Sequence, residues 1–184
     1  YAAFFERIFE FARGLVSGKE NERGKRVHYW TALGLLRGVM SSPAAGISML
    51  RNRRSKLSGE ELLEEEAGDI VHDSPEGFES DLSPVELVES TNWSDYELRK
   101  LREFEKELSE LQGIKKDYKL EATRMVIADW LDQGFNPVIF CRYIPTANYL
   151  GEQLKPIFEK AYKDVTVQVV TSEDPDELRK ERIQ

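Results

Sequence analysis

Apolar residues recur at intervals of three and four along much of this chain, the spacing that places them on one face of a helix. Residues 1–16 show this pattern first, and a second helix is predicted from about Lys25 to Met40. Ser42 and Pro43 then suit the start of a third helix, because serine caps and proline tolerates the first turn. The expected buried positions of the first two helices are Tyr1, Phe4, Phe5, Ile8, Ala12, Leu15, Trp30, Leu33, Leu36 and Met40.

The helical spacing returns in the second half of the chain. Leu101, Phe104, Leu108 and Leu111 form a narrow apolar seam. A further helix is predicted over residues 118–133, and Gly134 is a natural left-handed stop for it. Its expected buried stripe is Leu120, Thr123, Ile127, Trp130 and Leu131.

After Gly134 the apolar residues no longer follow the helical spacing. PVIFC at 137–141 is a continuous apolar run, and VTVQVV at 165–170 is rich in β-branched residues. Such runs are typical of strands covered on both faces. A helix is predicted between them, with Ala147, Leu150, Leu154, Ile157, Phe158 and Ala161 on one side, and another from about Asp174. The predicted fold class is therefore α/β, a mostly helical first part followed by a parallel βαβ unit.

Charge divides the chain into three predicted regions. Residues 1–54 carry ten Lys or Arg against four acids and form a helical connector. Residues 55–92 hold twelve acids against the single Lys56 and are expected to be a disordered insert. Residues 93–184 hold the remaining helices and the βαβ unit. A net charge of −8 excludes a generic nucleic-acid binder, so such contact requires a local basic group.

The composition also bears on where in the cell the chain is expected to occur. No apolar run is long enough to cross a bilayer, and the one cysteine, Cys141, favours a reducing, cytoplasmic location and a structural thiol. The chain starts at Tyr1 inside an apolar pattern and stops within a predicted helix, which indicates a piece of a larger protein.

The ends of the two predicted strands carry the candidate site. Loops at the carboxyl ends of parallel strands meet helix amino-termini, where phosphate binds readily. Arg142 could bridge two phosphate oxygens, Thr146 and Thr171 could donate hydroxyl hydrogen bonds, and Tyr143 could stack on a base. The alternative is that these residues are a surface charge, a rim aromatic and turn formers.

Three stretches, taken in order, resemble a known family. NPVIFCRYIPTANYLGEQL at 136–154 resembles motif IV of superfamily-two helicases, in the SWI/SNF-like or bacterial RNA-polymerase-associated branch. VTSEDPDELRKERIQ at 170–184 is similar to the segment that follows in that family. RGVMSSPAAGISMLRNRR at 37–54 resembles the helix hairpin between the two motor lobes.

This resemblance implies that the chain is part of an ATP-dependent helicase or translocase. It would cover the inter-lobe helices and the incomplete start of the C-terminal RecA-like lobe, a P-loop NTPase-like fold. Arg142, Tyr143, Thr146 and Thr171 would hold the phosphate backbone of nucleic acid, with DNA favoured over RNA. ATP and Mg would bind in the full-length parent between this lobe and the first RecA-like lobe, with no membrane involved.

Other chemistry is not supported by the sequence. RGLVSGKE at 13–20 lacks the first glycine and the hydroxyl of a Walker A loop, so the chain alone is expected to be inactive and to hold no cofactor. No catalytic residue is predicted, and one cysteine with the distant His28 and His72 makes no zinc site. The alternatives are a non-catalytic helical interaction module that recruits partners through the acidic stretch, and a nucleotide-binding fold unrelated to helicases.

Overall fold

The computed structural model describes residues 1–17, 22–51 and 93–183, with side chains left out at 22–27 and 183. The acidic region predicted at 55–92, together with Arg53 and Arg54, lies outside the described residues. Within the described ranges the chain forms helices joined by turns and extended segments. The helices are α1 (Ala2–Val16), α2 (Glu22–Ser41), α3 (Pro43–Arg51), α4 (Asp95–Glu110), α5 (Tyr118–Asp132), α6 (Ile144–Ala161) and α7 (Asp176–Ile183).

The predicted α/β class is wrong, because the described residues form helices and no strand or sheet. The parallel βαβ unit of RecA type is therefore not present there. Both predicted strands, 137–141 and 165–170, lack regular secondary structure. A short apolar run identifies a strand only when another strand pairs with it, and the second run lies instead against α6. There the Val167 N–H donates to Glu159 Oε1 at 3.0 Å, and Val169 packs over Gly151.

The described helices fall into two compact units, Tyr1–Glu110 and Leu111–Gln184. In the first unit, α2 packs against α1 and α3, and α4 packs against α3 and α1. The helix α1 buries Phe4, Ile8, Ala12 and Leu15, as its spacing predicted. Tyr1, expected to be buried, is partly exposed and donates a hydrogen bond to the carbonyl of Val39.

The buried face of α2 differs from the predicted one. Its interior residues are Thr31, Ala32, Leu35 and Val39, whereas the predicted Met40 is exposed. The small residues of α2 explain the rotation, because they allow α3 to approach closely. A Cβ at Gly38 would lie 2.1 Å from Met49 Sδ, so the Met49 side chain of α3 fills the space over this glycine.

The start of α3 follows the sequence prediction. Ser42 Oγ accepts a hydrogen bond from the Ala45 N–H at 3.0 Å, and Pro43 is the first helical residue. At the other end, Arg51 Nε donates to Glu105 Oε1 on α4 at 2.9 Å. The basic end of α3 therefore has one charge paired with the neighbouring helix.

A capping box begins α4. The Ser94 N–H donates to Glu97 Oε2 at 2.7 Å, and the Glu97 N–H donates to Ser94 Oγ at 3.3 Å. The seam residues Leu101, Phe104 and Leu108 are buried as predicted. Since α4 belongs to the first unit, this unit extends past residue 93, where the third predicted region starts.

The second unit holds α5, α6 and α7. Asp117 caps α5 by accepting from the N–H groups of Lys119 and Leu120, and Gly134 has φ of +84°, confirming the predicted left-handed stop. Leu120 and Ile127 are buried, whereas Trp130 is 42% exposed, so the predicted stripe is only partly internal. In the described part of the chain, no helix combines the length and apolar character needed to cross a membrane.

Candidate nucleic-acid interface

Two tyrosine hydroxyls fix the direction of α6 relative to α5. Near the start of both helices, Tyr149 donates to Asp117 Oδ2 at 3.2 Å. Near their ends, Tyr162 donates to Asp132 Oδ1 at 2.7 Å. The helices therefore lie side by side and run in the same direction, with their amino-terminal ends together.

The segment between these helices must return along α5. The 15 residues of α5 rise about 22 Å, so the short connection that follows has to be largely extended. It starts at the carboxyl end, where the Phe135 N–H donates to the Trp130 carbonyl at 2.9 Å. It finishes at the amino end of α5, near Lys119. Burial raises the pKa of the Cys141 thiol there, and the charge of Lys119 opposes part of that rise. The segment delivers Arg142 to the amino-terminal ends of both helices.

Among the described residues, the start of α6 combines features that favour an anion. Tyr143 is the N-cap residue, in an extended conformation with φ of −108° and ψ of 128°, and its side chain makes no capping hydrogen bond. The first turn of α6 contains no acidic residue. Arg142, directly before this turn, is exposed. The guanidinium and the positive end of the helix dipole therefore act together at this point.

Two predicted contact residues lie in the interior at this same end. Tyr143 and Thr146 are 6% and 7% exposed. The structure brings them together, because the Thr146 N–H donates to the Tyr143 carbonyl at 2.9 Å. Contact of these side chains with a base or a phosphate would require them to become exposed.

Thr171 lies in a different turn, before α7. Its N–H and its hydroxyl donate to Asp174 Oδ2 at 2.7 and 3.2 Å, and Arg182 Nη1 donates to Asp174 Oδ1 at 3.2 Å. The backbone hydrogen bond from Thr171, the largest cause, lowers the pKa of Asp174, so this carboxyl stays ionised. Asp176 and Glu177 add negative charge in the first turn of α7. A carboxylate thus accepts the Thr171 hydrogen bonds that a phosphate was predicted to accept.

Sequence reasoning missed Asp174, although a short-range signal was present. Threonine followed three residues later by aspartate, just before a helix, is a common local hydrogen-bonding arrangement. It also missed the basic residues at the amino end of α5, where Lys119 is close enough to Cys141 to affect its pKa and Lys115 and Lys116 directly precede the helix. The lysines precede the apolar run by about twenty residues, so only the return of the chain along α5 brings them close to it.

Burial raises the pKa of two further groups in the second unit. It raises the pKa of the half-buried Cys141 thiol, which favours the unreactive thiol form. It also raises the pKa of Tyr149 to about 12, helped by the adjacent charge of Asp117. Among the described residues, no cluster of three or more His, Cys, Asp or Glu side chains is placed to hold a metal ion.

Comparison with known proteins adds no family to these observations. No family model matches the chain, and no curated protein or solved structure does so either.

Proposed function

We propose that the chain is part of an ATP-dependent nucleic-acid helicase or translocase, and that the amino-terminal end of α6 contacts the phosphate backbone. The observation that carries this proposal is the exposed Arg142 beside a helix start without acids or a side-chain cap. The order of the three helicase-like stretches in the sequence also supports it. ATP and Mg are proposed to bind in other parts of the parent protein.

The contrast between the starts of α6 and α7 narrows the proposed site. The start of α7 has Asp174, Asp176 and Glu177, which repel a phosphate. The start of α6 has Arg142 and, nearby, the lysines before and within the first turn of α5. Arg142 is therefore the principal contact proposed, and Thr171 is a contact only if Asp174 moves away.

Salt dependence of binding tests this proposal directly. Single-stranded and duplex oligonucleotides, in DNA and RNA form, would be titrated into the chain at several salt concentrations. Arg142→Ala should lower the slope of log affinity against log salt by about 0.7 for single strands and about 0.9 for duplex DNA, one phosphate contact. The matched control is Arg102→Ala, which removes the same charge from an exposed position of α4 and should leave the slope unchanged.

Equal slopes for the two variants, or no binding at low salt, would exclude this contact. Preference between DNA and RNA follows from the same titrations. The readout is binding, so it does not depend on ATP hydrolysis.

A second candidate is a non-catalytic helical interaction module. The observation that favours it is the apolar surface that the second unit leaves exposed, including Phe140 at 93% exposure. Absence of nucleic-acid binding together with tight binding of another polypeptide to this surface would favour the module over the translocase.

A further inference from the structure

The second unit exposes a group of large apolar side chains on α5 and on the segment that returns along it. We call this group the apolar surface; it consists of Met125, Val126, Trp130, Phe135, Val138, Ile139 and Phe140, each between 42% and 93% exposed. Since aromatic side chains carry about 150–250 Å² of surface and the aliphatic ones carry less, the summed exposed area is on the order of 700 Å². Monomeric proteins rarely expose large contiguous apolar patches, and this much exposed apolar area within one unit is typical of a surface that binds a partner.

The backbone at the centre of the apolar surface is also open to a partner. Within the described residues, the N–H and carbonyl groups of Val138, Ile139 and Phe140 make no hydrogen bond. An extended segment of this kind is a template for a strand from another chain. The partner should therefore contribute another extended segment.

A second copy of the same segment meets both requirements. In an antiparallel pair centred on Ile139, Val138 of each copy lies opposite Phe140 of the other, an aromatic and β-branched pair of the favoured kind. Pro137 selects this register, because it then occupies a position whose missing N–H faces away from the partner strand. All the backbone hydrogen bonds across the pair are then made by the N–H and carbonyl groups of Val138 and Phe140.

The charges at the two ends of the segment also complement each other in an antiparallel pair. Arg142, Lys115 and Lys119 lie at the end near Cys141, whereas Asp129 and Asp132 lie at the end near Phe135. An antiparallel partner places the basic end of each copy over the acidic end of the other. Complete coverage of the apolar surface, about 700 Å² per copy, would approach the ~800 Å² per partner of a standard stable interface.

We propose that two copies of this chain associate through the apolar surface, with their 136–141 segments paired antiparallel about Ile139. The pairing does not depend on the proposed contact with nucleic acid, which has a different readout. The interaction buries Val138 and Phe140 and sets Lys119 of one copy near Asp129 of the other.

Cysteine cross-linking tests the register. Cys141 is the one cysteine of the chain, so Cys141→Ser provides a background without thiols. In that background, Ile139→Cys should form a disulfide-linked dimer under mild oxidation, because facing residues at such a position lie about 4.5 Å apart between Cα atoms. Asn136→Cys is the matched control and should stay unlinked, since its two copies are about 20 Å apart in this register. Equal cross-linking of both variants would overturn the register.

Sedimentation equilibrium tests the surface itself. The chain should show a concentration-dependent monomer–dimer equilibrium, and Phe140→Lys should weaken it at least about thirty-fold, as for loss of an interface hot spot. Phe9→Lys, at an exposed position of α1 in the first unit, is the control and should not change it. Circular dichroism verifies that each variant remains helical.

A charge exchange distinguishes specific pairing from non-specific association. Lys119→Asp and Asp129→Lys should each weaken the dimer about tenfold, and the double variant should recover most of the loss. A monomer at all concentrations, aggregates that Phe140→Lys does not reduce, or a double variant weaker than either single one would each overturn the proposal.

Discussion

The two units place their apolar side chains differently. In the described part of the first unit, four helices enclose an interior that includes Ile8, Leu35, Met49 and Leu50, all without measurable exposure. In the second unit, α5 and α6 bury a smaller set, and most of the apolar run at 137–141 faces solvent. The first unit therefore has the arrangement of a closed helical core, whereas the second has apolar surface left for a partner.

The second unit depends correspondingly more on polar contacts. The Gly113 N–H donates to the Tyr149 hydroxyl at 2.9 Å, and that hydroxyl donates to Asp117, which also caps α5. One buried network thus joins the turn before α5, the start of α5 and the second turn of α6. A change in apolar packing should therefore affect the stability of the first unit most, whereas a change in hydrogen bonding should affect the stability of the second unit most.

Truncating one buried and one exposed side chain provides the strongest test. Leu50→Ala should lower the free energy of unfolding by about 2–5 kcal/mol, because it leaves a cavity in the first unit. Phe140→Ala should change it by less than about 0.5 kcal/mol, because the ring is 93% exposed. Urea unfolding followed by circular dichroism, at low micromolar concentration where association contributes least, measures both. A comparable loss in Phe140→Ala would show that the ring is buried and would remove the contrast.

The first unit illustrates what helical periodicity can and cannot predict. The spacing in α1 and α4 identified most of their buried positions, and the exceptions are Tyr1, Phe5 and Leu111. The helix α2 carries apolar residues on several sides, and its buried face depends on the approach of α3, whose Met49 side chain lies over Gly38. That approach is a tertiary contact, and the sequence of α2 alone does not contain it.

The second unit shows a different limit. The apolar run at 137–141 has the composition of a strand, but strand formation depends on a hydrogen-bonding neighbour that composition does not reveal. Prediction of the candidate site met the same limit. Arg142 is exposed, whereas the burial of Tyr143 and the hydrogen bonds between Thr171 and Asp174 depend on how the returning segments pack.

High pH should selectively weaken the second unit. Tyr149 has an ordinary pKa of 10.0 and a folded-state pKa of about 12, so between these values the folded state retains a proton that the unfolded state has lost. Stability should therefore fall as pH rises from about 10 to 12, by up to about 2 kcal/mol from this residue. Urea unfolding at pH 8, 10.5 and 11.5 measures the decline.

Tyr149→Phe supplies the test of that cause. It should cost about 1–2 kcal/mol at pH 8, since Gly113 and Asp117 lose a hydrogen-bond partner, and it should then show a smaller decline above pH 10. Some decline should remain, because the hydrogen bond to Asp132 also raises the pKa of Tyr162. Tyr118→Phe, at an exposed position, is the control and should leave the decline unchanged. An undiminished decline in Tyr149→Phe would assign the effect to another group.

Two glycines, one in each unit, provide the smallest and most specific test. Gly134 ends α5 with φ of +84°, a conformation that disfavours any side chain, so Gly134→Ala should lower stability by about 1 kcal/mol. Gly14 lies inside α1, and a Cβ there meets nothing within 4 Å, so Gly14→Ala should raise stability by about 0.5–1 kcal/mol. Thermal unfolding should thus show shifts of opposite sign for the same chemical change. Shifts of the same sign would mean that the turn at Gly134 relaxes to accept alanine, and that the second unit does not need its sharp return along α5.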